Sequence, residues 1–151
     1  MQISARGEYA VRAALALAAA HPATVSAQAL AAEQRLPRKF LETILGDLRR
    51  SGLVTSTRGV EGGYTLARAP DQIVVGDVLR AADGPLAGVR GVRPEQTAYD
   101  GSAEHLRDLW IAVRASVRRV LDEVSLADVV RGRLPAHVRR LIADHEAWQP
   151  R

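Results

Sequence analysis

The chain contains no cysteine, which excludes disulfides, thiolate metal sites, thiol catalysis and sulfur-based redox sensing. No run of even twelve apolar residues is free of a charge or a break, so no segment reads as one that crosses a bilayer. The basic-then-apolar layout of a secretory leader is missing from Met1 to Arg12, and the reading is of a soluble, cytoplasmic protein. The four histidines, His21, His105, His137 and His145, show neither the HExxH spacing of a zinc hydrolase nor a nucleophile-elbow pattern. No enzyme is expected. Lysine is scarce too, with Lys39 alone among 21 cations.

The 151 residues are 47% apolar and 25% charged, enough for one domain with an appended interaction element and too few for two large cores. The formal net charge of +4 is unevenly placed. Residues 1 to 70 carry nine cations (Arg6, Arg12, Arg35, Arg38, Lys39, Arg49, Arg50, Arg58 and Arg68) against five carboxylates (Glu8, Glu33, Glu42, Asp47 and Glu61), whereas the other 81 carry twelve of each. Such asymmetry suits a first half that faces a polyanion.

Residues 4 to 20 read as a helix, capped by Ser4 and stopped by His21-Pro22. Ser26 caps a second, short helix to Gln34, with Val25 as a hydrophobic staple. After Arg35-Leu36-Pro37, a third helix places Phe40, Leu41, Ile44, Leu45 and Leu48 in one apolar stripe and ends at Arg49, Arg50 and Gly52. Two short helices joined by a tight turn describe a helix-turn-helix. Strand signals at residues 53–57 and 64–66 flank Arg58-Gly59-Val60-Glu61-Gly62-Gly63, a β-hairpin with a glycine-rich tip and Arg58 at its entrance. A helix-turn-helix followed by a basic hairpin is a winged helix.

Ile73-Val74-Val75 precedes a short helix, Gly76 to Ala82, stopped by Asp83-Gly84-Pro85, and residues 86–102 read as a loop. From Ala103, Leu106, Leu109, Trp110, Val113, Val117, Val120, Leu121 and Val124 keep one face apolar for nearly twenty residues. So long a stripe needs a cover, and the expected cover is the same helix of a second chain. Ser125 to Asp128 has the positions of a capping box, and a last amphipathic helix is expected over Pro135 to Trp148, its role open. The expected fold is therefore mostly α: a winged helix-turn-helix over residues 1–84, a loop over 85–102, a dimerisation helix region over 103–130 and an extension over 131–151.

The stretches Ile3 to Ala13, Phe40 to Val54 and Arg58 to Leu66, with the glycine-rich wing and Tyr64-Thr65-Leu66 the most specific, resemble the Rrf2 family of bacterial transcription regulators. The resemblance covers roughly residues 1 to 130 and implies a dimeric winged helix whose two reading heads bind a palindromic promoter site. Sensor members of that family carry three cysteines in the loop before the long helix and hold an iron–sulfur cluster there. This chain departs at that point: between Pro85 and Glu104 it offers Glu95, Asp100 and Glu104, with His105 next, and no thiolate. Hard oxygens and one imidazole do not replace soft sulfur ligands, so no cluster, no metal and no other cofactor is expected. Some relatives add a carboxylate near the N-terminus, where Glu8 stands; its expected role here is an ion pair with Arg12 one helical turn on.

Arg38, Lys39, Glu42 and Thr43 lie off the apolar stripe in the first two turns of the third helix, where a recognition helix meets base edges. The resemblance matches Lys39, Glu42 and Thr43 to base-reading positions. Arg58, set with Gly59, Gly62 and Gly63, is placed to enter a minor groove. Ser4, Arg6, Ser26, Arg49 and Arg50 are secondary candidates, for phosphate contacts. The reading is of a DNA-binding regulator, a repressor, acting as a homodimer on a palindromic operator; the alternative is a winged-helix module that regulates a partner enzyme. The effector, a small molecule or a protein, stays open, and Trp110 is assigned to dimer core before pocket lining.

Overall fold

The structure, a computed structural model, describes residues 2 to 150. Helix α1 (Ala5–Ala20) starts where the Ser4 hydroxyl accepts the Gly7 N–H at 2.8 Å. Its buried face is almost all alanine, with Ala10, Ala13 and Ala14 beside Leu17, and these small side chains let four other helices pack on it. Helix α2 (Ala27–Gln34) is capped by Ser26 and ends at Arg35 in the left-handed conformation, φ 53°. Leu36 is buried in the turn that follows, and helix α3 (Arg38–Arg50) then sinks Leu41, Ile44, Leu45 and Leu48 completely into the core. Each contributes on the order of 2 kcal/mol. The apolar spacing thus fixes which face of α3 is left outside.

Strands β1 (Val54–Thr57) and β2 (Gly63–Leu66) pair antiparallel from Val54 opposite Leu66 to Thr57 opposite Gly63. Val25, just before α2, adds an isolated antiparallel rung on the other side of β2, exchanging two 2.8 Å backbone hydrogen bonds with Tyr64. Beyond a single 3-10 turn at Pro70–Gln72, helix α4 (Val75–Asp83) buries Val75, Val78 and Leu79 against α1 and α3.

The chain then leaves this head through residues 84–105, which hold two more 3-10 turns (Pro94–Gln96 and Gly101–Ala103), and forms helix α5 (Leu106–Leu121). It returns at once. Val124 accepts the Val75 N–H and Ile73 accepts the Leu126 N–H, both at 2.9 Å. Helix α6 (Leu126–Arg131) opens on a capping box, Ser125 with Asp128, and places the fully buried Leu126 in the core of the head, with α6 packed on α1. Helix α7 (Ala136–Ala143) and a final turn, His145–Trp148, complete the described residues. None of the helices is long and apolar enough to cross a membrane.

Two expectations change. The long helix begins at Leu106 and stops at Leu121, so Val124 is not on its apolar face; at 5% exposure it belongs to the chain's own core, because its carbonyl is taken by the start of α4. The region expected as one dimerisation unit over 103–130 accordingly divides, with α5 outside the head and α6 within its core. The last helix is also interrupted, since the Asp144 side chain accepts the Glu146 N–H at 3.0 Å and caps a separate turn.

Candidate nucleic-acid interface

The face of α3 opposite its buried leucines carries Arg38, Lys39, Glu42 and Thr43, all exposed or half-exposed. Their i to i+4 relations are used. Arg38 Nε donates to Glu42 Oε1 at 2.9 Å, and Thr43 Oγ1 donates to the Lys39 carbonyl at 3.1 Å. The ion pair is solvent-exposed and worth only a few tenths of a kcal/mol, so either partner is easily released to a base edge. Lys39 keeps its ammonium unpaired. Behind this face, Phe40 packs edge-on against Tyr9 of α1 (centroids 5.8 Å apart), and Arg12 bonds the side chain and carbonyl of Gln34 at the end of α2. These contacts set α2 and α3 at a fixed angle to each other.

The wing is fastened at its root and open at its tip. Gly63, at φ 154°, lies so close to Val25 that an added Cβ would stand 2.6 Å from the Val25 carbonyl, so the Val25–Tyr64 rung requires glycine there. Gly62 is equally tight against Thr57, and its N–H donates to the Gly59 carbonyl at 3.0 Å, with Gly59 at φ 114°. Thr24 donates to the Glu61 carbonyl, and Arg49 reaches Ser56 of β1 at 3.1 Å. Arg58 is exposed, with no hydrogen bond or ion pair among the described residues.

The secondary candidates are more occupied. Ser4 and Ser26 are helix caps, and Ser4 also donates to Asp83 at 2.6 Å. Arg6 is turned inward: it pairs with Asp47 of α3 and donates to the Ala82 carbonyl at 3.0 Å, joining α1, α3 and α4. Arg50 pairs with the same Asp47. Among the cations of residues 2–70, only Arg35, Lys39 and Arg58 have side chains without a partner among the described residues. Arg35 was not singled out by the sequence reading; its signal was a cation at the one residue that must turn left-handed between α2 and α3.

In the loop, Glu95 pairs with Arg114 of α5, and a hydrogen bond from its backbone first, then Arg114, holds its carboxyl below the usual carboxylate range. Glu8 pairs with Arg12 at 3.7 Å, as its spacing suggested. On α5 the expected interface residues separate. Leu109 and Val113 are exposed (54% and 37%), while Leu106, Trp110, Val117, Val120 and Leu121 are half-buried, the last two packed against the head. The Trp110 indole N–H is buried without an acceptor.

A helix-turn-helix with a basic, glycine-tipped wing is the architecture of a winged-helix DNA-binding protein. Residues 3–132 match the family described as Rrf2: Iron-dependent Transcriptional regulator, and the chain belongs to that family. It is 50% identical over 150 residues to the HTH-type transcriptional regulator Rv1287 of Mycobacterium tuberculosis, covering 99% of this chain and 93% of that protein. It is 36% identical to the HTH-type transcriptional regulator CymR of Bacillus subtilis over 85% of this chain and 89% of that one. The solved structure of CymR, the global cysteine regulator of B. subtilis, superposes with a TM-score of 0.75 at 34% identity, covering 87% and 98% of the two chains. That of the T. potens IscR does so at 0.68 and 32%, covering 100% of this chain and 93% of that one. The chain is thus a DNA-binding transcriptional regulator, mostly helical with a two-stranded wing.

The family's description names iron. The residues here do not fit an iron–sulfur cluster: the chain offers no thiolate, and among the described residues no three of His, Asp and Glu stand together as ligands. Of the loop carboxylates, Glu95 is committed to Arg114.

Proposed function

We propose that this regulator binds a palindromic promoter site as a homodimer and represses transcription by occupying it, without an iron–sulfur cluster. The observation that carries the reading is helix α5. Its sixteen residues have an apolar stripe yet none is buried, and Leu109 and Val113 stand open to solvent. An amphipathic helix whose apolar face is only half covered by its own chain is stabilised when a second copy completes the cover, and a two-fold pair presents two heads to two half-sites. In this reading Lys39, Glu42, Thr43 and Arg38 meet base edges in the major groove, Arg58 at the wing enters the flanking minor groove between Gly59 and Gly62-Gly63, and Arg35, Arg49, Arg50 and the caps at Ser4 and Ser26 lie against phosphates. Residues 1–84 with α6 are the reading head, 85–102 the joint, and α5 the pairing element.

The test is a salt-dependent anisotropy titration of the promoter upstream of the protein's own gene. Lys39→Ala and Arg58→Ala are each expected to cost ~1–3 kcal/mol of discrimination between that site and a scrambled one. Unchanged affinity for the cognate site in both variants refutes the assignment. A wild-type protein that ignores the promoter at all salt concentrations favours the partner-protein role instead.

A further inference from the structure

Where the head, the joint and the pairing helix meet there is an open cleft of about 290 Å³ lined by four arginines: Arg80 from α4, Arg93 from the loop, and Arg114 and Arg118 from α5. Only one carboxylate, Glu95, shares the lining. Arg80 is held from behind by both oxygens of Asp122 and by Asp77, and Arg114 is held by Glu95, so two of the guanidiniums are oriented before anything binds. Arg93 and Arg118 make no ion pair among the described residues. These four cations meet three carboxylates, Asp77, Asp122 and Glu95, with Arg93 near enough to act on the Glu95 charge and Arg118 in no ion pair among the described residues, so the concavity keeps an excess of positive charge that an entering anion relieves. Planar guanidinium forks match carboxylate and phosphate oxygens, and Leu86 and Pro94 supply a small apolar wall.

We propose that this cleft is the effector site of the regulator and takes a compact polyanion, a small molecule bearing two or more carboxylate or phosphate groups. The size suits a compact ligand, since about 290 Å³ is near the bottom of the usual range for small-molecule pockets, ~300–1,000 Å³. Its position supplies the coupling. The wall from Arg80 to Leu86 ends α4, which packs on the recognition helix α3, and the opposite wall is the pairing helix α5. A bound polyanion bridges the two and biases their relative placement. The effector role rests on the DNA-binding reading above; the anion site does not.

The experiment measures binding without DNA first. Thermal unfolding of the full chain is followed against pyrophosphate, succinate and citrate at constant ionic strength. A saturable rise in Tm is expected with at least one of them, and which one responds separates a phosphate ligand from a carboxylate one. Arg93→Ala with Arg118→Ala leaves the internal ion pairs intact and is expected to weaken that binding by about tenfold per arginine. Lys39→Ala with Arg58→Ala is expected to leave it unchanged, which separates the cleft from anion binding at the reading face. A rise absent for all three anions, or equal in the Arg93/Arg118 variant, overturns the site. With the site confirmed, the active anion is expected to change promoter affinity at least about fivefold in the wild type and not in the cleft variant; equal affinity with and without it overturns the effector role.

Discussion

Side chains of the same positive charge do different work in this head, and what separates them is whether a carboxylate already owns them. Arg58 and Lys39 are exposed and unpaired, so their field is available to a phosphate backbone or a base edge. Arg6, six residues from the start, is spent on Asp47 and the Ala82 carbonyl. Asp47 is mostly buried and shared with Arg50, so removing Arg6 strips its inner partner and the bond to Ala82 together. Arg6→Ala is therefore expected to lower the unfolding free energy by about 1–3 kcal/mol in urea denaturation while leaving the salt slope of DNA binding unchanged. A slope reduced by about one with stability intact would instead make Arg6 a phosphate contact.

At the scale of elements, what sequence reveals is what is encoded by neighbours. The Ser4 and Ser26 caps, the α3 stripe and the glycine-tipped hairpin each depend on residues within a few positions of one another, and each lies where the spacing put it. The Val25–Tyr64 rung and the return of Val124 to Val75 join residues some forty to fifty apart, and no local pattern announces them. The arginine cleft was hidden for the same reason, its members spread from Arg80 to Arg118 with only the i to i+4 pair on α5 adjacent. The exposure of Arg58 and of the α3 face opposite the buried leucines was legible, whereas the inward turn of Arg6 was not, because a helix position does not say where a partner will come from.

The capping box of α6 offers a test at this scale. Asp128 accepts from the Ser125 hydroxyl and from its N–H, at 2.7 and 2.9 Å, and these bonds, the hydroxyl first, hold its carboxyl below the usual value. A carboxyl whose folded pKa is depressed contributes stability that is complete above its unfolded value, near 4, and is lost as pH falls through the lower folded value. Asp128→Ala is expected to cost about 1 kcal/mol at pH 7, and the gap between variant and wild type is expected to close as unfolding is measured from pH 5 downward. A gap independent of pH would mean that packing, and not the ionised cap, holds α6.

For the whole molecule the question is what a winged helix gains by sending one helix out and bringing the chain straight back. The Val75–Val124 and Ile73–Leu126 hydrogen bonds close the excursion at its base, so α5 is clamped to the head at one end while its other end, near Leu109 and Val113, is uncovered. If that end is closed by a second copy, charge placed there must separate the pair without disturbing either head. Leu109→Glu with Val113→Glu is expected to convert a dimer to a monomer by native mass at micromolar concentration, with helix content unchanged by circular dichroism. Each freed head would then bind its half-site alone, and losing the linked second contact is expected to weaken promoter binding by roughly 10²–10⁴-fold. The same variant leaves Arg80, Arg93, Arg114 and Arg118 in place, so anion binding at the cleft should survive the loss of the dimer. Native mass unchanged by the two glutamates would place the pairing surface elsewhere, and the uncovered stripe of α5 would need another partner.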